Sequence, residues 1–304
     1  MAPTRRAFLL GAGGLVLLAA CGDESSPNNA GGGNGTLGGP DTTGAGGGAT
    51  SDTLQVGFQV VQRFPSTPLF TPGEVRLPVS LSDGQNLLPA GPAELPGWIE
   101  TIDGERVADI TAIFRAAGIA VPYYEIRAEL STAGFHVLRF PDDDGNGATF
   151  EVVDASKVAS PVTGTPLPPF DTPTVDDHRG VEPFCSLTPD PCPLHDITLT
   201  DALKSGKPVA YMVGTPAHCQ TGTCAPGLEF LVAEHERLGD AVVMVHADVY
   251  ADDAATTLAP AVNALGVDYE PIIYFCDATG TIVDRLDGVW DSAELRERLD
   301  LLTA

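Results

Sequence analysis

The sequence predicts a two-domain fold class, an all-β sandwich followed by an α/β domain. Short apolar runs of period two fill residues 53–155, strands alternate with helical segments from Ile197 onward, and Gly- and Pro-rich tracts flank both. With 34 Gly and 26 Pro in 304 residues but 43% hydrophobic residues, ordered domains must coexist with low-complexity spacers. The 41 acidic residues outnumber 16 basic ones, a net charge of −25, which argues against a large cationic face and therefore against nucleic acid as a partner.

The N-terminus carries a targeting signal. Thr4-Arg5-Arg6-Ala7-Phe8-Leu9-Leu10 sets an arginine pair before the apolar run Phe8–Ala20, and Leu18-Ala19-Ala20-Cys21 ends it with small residues before a cysteine. The run is too short for a permanent membrane span and has the charged start, apolar middle and small-residue exit of an export signal. It resembles a twin-arginine signal of a bacterial lipoprotein. That resemblance implies cleavage of residues 1–20, lipidation of Cys21, and attachment to the cell membrane on its extracytoplasmic face. Losing Arg5 and Arg6 takes the charge to −27, a surface not drawn to anionic lipid, so the membrane is reached through the lipid on Cys21. Residues 21–52 form a flexible tether: Gly22–Asp52 holds eleven glycines in 31 residues, with too little apolar surface to offset ordering and a reach of roughly 30 Å.

Within 53–155 the alternating runs are Leu54/Val56/Phe58/Val60, Val75/Leu77/Val79/Leu81 and Tyr124/Ile126/Ala128/Leu130, followed by Phe135–Phe140 and Ala148–Val153 around a turn tract at Asp142–Gly147. Pro78 suggests an edge strand. About seven strands in this length fit an immunoglobulin-like β-sandwich, here without an inter-sheet disulfide because the segment has no Cys. The carboxylates Asp142–Asp144 read as a solvated hairpin tip rather than a Ca²⁺ loop, since no full calcium-loop spacing is present. The domain reads as a spacer or partner-binding module.

Residues 156–184 form a Pro-rich linker, expected as an extended strut. It leads into Phe184-Cys185-Ser186-Leu187-Thr188-Pro189-Asp190-Pro191-Cys192-Pro193-Leu194-His195. In an exported protein, Cys185 and Cys192 read first as a small structural disulfide; the rival reading is a redox or metal role in which His195 joins them. In the α/β domain, 185–304, the expected elements are a short helix Thr200–Ser205, a strand Pro208–Gly214, a helix stopped by Gly239, a buried strand Ala241–Val249, a helix near Ala255–Leu265, strands Ile272–Phe275 and Thr281–Leu286 around a turn, and a terminal helix from Asp291 or Ser292.

This order resembles the thioredoxin-like fold, over roughly Ile197–Leu302. Cys219-Gln220-Thr221-Gly222-Thr223-Cys224 stands between strand and long helix, where that family keeps its redox cysteines; Pro271 opens a strand where the family keeps a cis-proline, and Gly288 fits the family's usual glycine. More narrowly, the chain resembles exported actinobacterial lipoproteins of this architecture. The resemblance implies Cys219 as the attacking thiol and Cys224 as the resolving one, the thiolate being favoured by the helix N-terminus. Four residues separate the cysteines where exchange enzymes usually have two, and i, i+5 on a regular helix lie about 140° apart, so Gln220–Thr223 must loop, as Gly222 permits. His218 replaces the usual tryptophan, the strand Pro208–Gly214 lacks the family's buried acid, and Glu270 precedes Pro271.

Three functions follow: thiol-disulfide exchange on exported protein thiols and disulfides; a non-catalytic, partner-binding scaffold with structural disulfides; or a copper carrier using His218, Cys219 and Cys224, the only metal candidates in that loop. No cofactor is expected. Cys276 and the histidines His235 and His246 read as core residues. A folded cargo must oxidise its cysteines in a preformed geometry, which favours the local pairs 185/192 and 219/224.

Overall fold

The computed structural model describes residues 51, 53, 54 and 56–304; the expected signal, Cys21 and nearly all of the tether lie outside the described residues. The described residues form one compact unit. No helix among the described residues is long and apolar enough to cross a membrane.

Nine strands build the N-terminal half. β1 (Gln59–Gln62), β3 (Val79–Ser82), β6 (Tyr123–Glu125), β5 (Arg106–Arg115), β4 (Glu94–Thr101), β8 (Gly134–Arg139) and β9 (Ala148–Val152) form one antiparallel sheet in that order. β2 (Gly73–Arg76) and β7 (Arg127–Leu130) form a separate ribbon. The all-β character is as expected, but the immunoglobulin-like layering of two comparable sheets is not what the pairing produces. Two expected strands are each broken in the middle. The run from Val75 to Leu81 splits at Leu77-Pro78 into β2 and β3, and the run from Tyr124 to Leu130 splits at Ile126 into β6 and β7, so each half of a run joins a different sheet. Pro78 therefore marks a sheet switch, not an edge: lacking an N–H it interrupts the ladder, while Leu77 N–H donates to Ile126 O at 2.8 Å across the junction. The large sheet bends until its outer strands meet, the Gln62 amide on β1 donating to Thr149 O on β9. The alternating residues Val75, Val79, Leu81, Ile99, Ile110, Ala128, Leu138 and Phe150 fill the interior.

The C-terminal half centres on a four-stranded sheet ordered β11 (Val243–Ala247), β10 (Val209–Val213), β12 (Ile272–Cys276), β13 (Ile282–Asp287). β10 and β11 are parallel, while β12 and β13 are antiparallel to their neighbours. Period-two alternation sends Ala210 and Met212 to one face with Leu228 and Leu231 of α2 (Cys224–Leu238) and Leu295 and Leu299 of α4 (Ser292–Leu302). Val209, Tyr211 and Val213 pack on the other face with Leu199 and Ala202 of α1 (Leu199–Ala202) and Ala261, Val262 and Leu265 of α3 (Pro260–Leu265). Covering both faces explains why β10, β11 and β12 read as nearly continuous apolar runs. Connection order, strand directions and helix placement make this a thioredoxin-like domain. The short helix starts at Leu199, capped by Thr198, instead of at Thr200, and α3 begins only at Pro260, a residue suited to a first helical position.

The segment 156–184 is not a free strut. Leu167 is buried in the α1/α3 layer, Leu167 N–H donates to Gly280 O and Ile282 N–H to Thr165 O, and Thr172 Oγ1 accepts Leu199 N–H at 3.0 Å. Prolines keep it extended, and its alternate residues supply apolar and hydrogen-bonding contacts that a solvated linker lacks.

The two halves are joined through buried charge. Arg76 on β2 donates Nε and Nη2 to the two carboxylate oxygens of Glu294 at 2.6 Å each, and also to Asp287 O and Val289 O. Glu294 is fully buried and also accepts the Tyr123 hydroxyl. Arg115 binds Glu125 and Glu297, and Asp291, the N-cap of α4, accepts Ala117 N–H at 2.8 Å.

Candidate functional site

Two clusters of sulfur chemistry lie at the end of the four-stranded sheet where β10 and β11 stop. The first is the loop after β10. Cys219 and Cys224 are joined as a disulfide with a Cα–Cα separation of 5.9 Å. Gly222, at φ +67°, supplies the left-handed residue that lets Gln220–Thr223 close over the pair. Cys224 is the first residue of α2 and is fully buried, whereas Cys219 is half-exposed. Cys219 Sγ accepts the Cys224 N–H at 3.3 Å and lies 3.2 Å from Thr221 Oγ1. An unpaired donor of the helix N-terminus is thus already aimed at the outer sulfur, which is where a thiolate would be stabilised.

Beneath the disulfide lies the loop before β12. The Glu270–Pro271 peptide is cis. A Cβ placed on Gly214 would meet Pro271 Cβ at 3.2 Å and Cys224 Cβ at 3.6 Å, so Pro271 and Cys224 close in on the same glycine. Pro271 O accepts Gly288 N–H at 2.9 Å, and Gly288 O accepts the Thr223 hydroxyl at 2.8 Å. Gly288, at φ +77°, ties the proline loop to the cysteine loop.

Glu270 lies beside the inner cysteine. Its Oε2 accepts Thr215 N–H and lies 3.6 Å from Cys224 Sγ. Burial pushes its carboxyl up to about 7, against the lowering effect of the Thr215 hydrogen bond. Its place next to Pro271 was visible in the sequence; that it reaches the inner sulfur was not. His218, the weak metal candidate, packs edge-on against Tyr250 with ring centroids 5.9 Å apart, and Cys219 and Cys224 are committed to each other. Cys276 is buried in β12, its thiol pushed up to about 12 by burial, as suits an inert core residue.

The second cluster corrects the expected structural disulfide. Cys185 and Cys192 are free and buried. Their sulfurs share a pocket with His195 and His246, one ligand atom from each of the four residues lying within 4.8 Å of the others. His246 Nδ1 is 3.8 Å from Cys185 Sγ, 3.6 Å from Cys192 Sγ and 3.2 Å from His195 Nε2. Hydrogen bonding from Cys192 holds the Cys185 thiol below its ordinary range, and the same contact together with burial pushes Cys192 up. His246, expected as a core residue, is fully buried but faces the thiols. Its strand position gives no sign of that, because every residue from Met244 to Ala247 is buried. The clusters communicate through Ser186, whose N–H donates to Asp248 Oδ2 at 3.0 Å and whose Oγ accepts Ala217 N–H at 3.3 Å.

Fold and first cluster together define a thioredoxin-like domain carrying a Cys-x4-Cys disulfide at a helix N-terminus. No protein-family model matches the chain, and no curated protein matches it. Among solved structures it is similar to a thioredoxin-family thiol:disulfide interchange protein from Chlorobium tepidum TLS, at 14% identity over 48% of this chain and 100% of that one, TM-score 0.34. It is also similar to a candidate thiol:disulfide interchange protein DsbE from Chlorobium tepidum, at 13% identity over 48% and 100%, TM-score 0.35. A third is MTB dsbF in mixed oxidized and reduced forms, at 22% identity over 45% and 96%, TM-score 0.29.

Proposed function

We propose that the protein is a lipid-anchored, extracytoplasmic thiol-disulfide exchange protein acting through Cys219 and Cys224. The observation that carries this reading is the pairing of a half-exposed outer sulfur with a buried inner sulfur 3.6 Å from a carboxyl poised near 7. A thiolate on an exported substrate attacks Cys219 Sγ; the Cys219–Cys224 bond breaks, and Cys224 leaves with its electron pair and takes the proton held by Glu270. A second substrate thiolate then attacks the substrate sulfur of the mixed disulfide, forming the substrate disulfide and releasing Cys219 as a thiolate held by Cys224 N–H and Thr221. In reverse, the Glu270 carboxylate accepts the Cys224 proton and the new thiolate resolves the mixed disulfide.

The anchor rests on Arg5, Arg6 and the Leu18–Cys21 exit. Replacing Cys21 by Ala should release the protein from membranes; retention would refute that part. Redox titration of the Cys219–Cys224 pair, with insulin reduction as the activity readout, tests the rest. A potential below about −300 mV, typical of inert bridges, together with no activity, would leave the scaffold reading. Tight Cu(I) binding by the reduced pair would favour a copper carrier.

A further inference from the structure

We infer that Cys185, Cys192, His195 and His246 form a closed, tetrahedral zinc site, a function independent of disulfide exchange at Cys219–Cys224. The argument starts from the edges of the cluster. A tetrahedral Zn²⁺ with Zn–S of about 2.3 Å and Zn–N of about 2.0–2.1 Å requires ligand atoms spaced about 3.3 Å for N to N and about 3.6 Å for S to N. The observed edges are 3.2 Å between the imidazole nitrogens and 3.8 and 3.6 Å from His246 Nδ1 to the two sulfurs.

Orientation agrees with spacing. His195 Nδ1 lies 3.2 Å from Pro173 O and His246 Nε2 lies 2.8 Å from Gly214 O. Carbonyls only accept, so each outer ring nitrogen carries the proton, and each inner nitrogen, Nε2 of His195 and Nδ1 of His246, presents a lone pair. Two lone pairs facing each other at 3.2 Å in a buried pocket repel unless a cation or proton lies between them. Outward hydrogen bonds that fix the tautomer are the usual support of metal-bound histidine. Asp248 adds a carboxylate beside the same ring: its buried Oδ1, with no hydrogen-bond partner, lies 3.5 Å from His246 Nε2. Cys192 N–H donates to Cys185 Sγ at 3.4 Å, an arrangement that suits a thiolate ligand.

Charge selects the metal. Two thiolates and two neutral imidazoles carry −2, which a divalent ion cancels, making burial of the whole centre affordable. Soft sulfur with imidazole in a tetrahedron suits zinc, and four protein ligands with none exposed leave no open position for catalysis. Binding replaces thiol S–H by S–Zn bonds, the protons leaving to solvent, and changes no oxidation state. The metal would pin the Phe184–His195 loop to β11, and through Ser186 and Ala217 it would brace the start of the Cys219 loop.

The test is metal analysis of the full-length protein prepared with zinc, followed by cobalt substitution. One equivalent of zinc is expected, and Co²⁺ should give intense tetrahedral bands with thiolate charge transfer. Both should vanish in the Cys185→Ser/Cys192→Ser variant and persist in Cys219→Ser/Cys224→Ser, whose behaviour separates this site from the exchange pair. Asp248→Asn should weaken zinc affinity roughly 10–100-fold in competition with a chelator. A Cys185–Cys192 disulfide in peptide maps of the zinc-grown protein, or no cobalt spectrum from Cys219→Ser/Cys224→Ser after full reduction, would overturn the inference whether or not the first variant folds.

Discussion

Replacing Glu270 by Gln probes the site through stability as well as rate. A carboxyl whose ordinary value is 4.5 and whose folded value is about 7 binds its proton more tightly in the folded chain. Its stabilising effect is therefore complete below about pH 4.5 and is lost as pH rises through about 7, because in that window the folded state holds a proton that the unfolded state has given up. The full difference is about 3 kcal/mol, and about 2.5 kcal/mol of it falls between about pH 5 and about pH 8. Glutamine keeps an oxygen for Thr215 N–H and removes the titration. Urea unfolding of the oxidised protein at both pH values should show the wild type losing about 2.5 kcal/mol more than the variant over that interval. Subtracting the two slopes removes Asp248, whose carboxyl is pushed up to about 6 by burial and which titrates with the same sign. The variant should also slow proton transfer at Cys224 by roughly 100-fold or more. Equal pH slopes in the two proteins would refute the claim that Glu270 is buried against the inner sulfur with a raised affinity for its proton.

Three further outcomes follow from the same geometry. Cys224→Ala should accumulate a mixed disulfide between Cys219 and a thiol substrate, detectable on non-reducing gels, whereas Cys219→Ala should form none; trapping through position 224 would reverse the assigned roles. Arg76→Ala leaves the Glu294 carboxylate buried beside Tyr123 with Arg127 Nη2 3.8 Å away, and should cost about 3–5 kcal/mol by chemical denaturation. The paired change Arg76→Met with Glu294→Leu should recover most of that loss, since burying neither charge is cheaper than burying one alone. Leu167→Ala should cost about 2–5 kcal/mol if the 156–184 segment is part of the core, and almost nothing if it is a solvated strut.

Much of the α/β half was legible because its strands are buried on both faces and its helices end at strong signals. Gly239 at φ +51° terminates α2, Asp291 caps α4, and the apolar run through Val243–Ala247 could hardly be anything but a central strand. The β half was harder. Period-two alternation continues unbroken through Leu77 and Ile126, so nothing in the pattern says that the chain changes sheets there. The longest hairpin, β4 with β5, was not singled out: Pro96 and Gly97 dilute the first strand, and exposed Arg106 and Val107 begin the second. The Cys219–Cys224 pair was readable as a motif because its cysteines are close in sequence. The partners of Cys185 and Cys192 were not: His246 comes from β11, 54 residues beyond Cys192, and only the parallel pairing of β10 with β11 brings it to that pocket.

The switch points at Leu77 and Ile126 also make the β half self-checking. β2 with β7 and β3 with β6 are successive stretches of the same two segments, held in phase by one hydrogen bond across the crossing. A slip of one residue in the ribbon would turn Val75 and Ala128 outward and carry Val79 and Tyr124 with them. Misregistration therefore cannot be local: an error in the two-stranded ribbon is charged at once to the seven-stranded sheet, and only one alignment satisfies both.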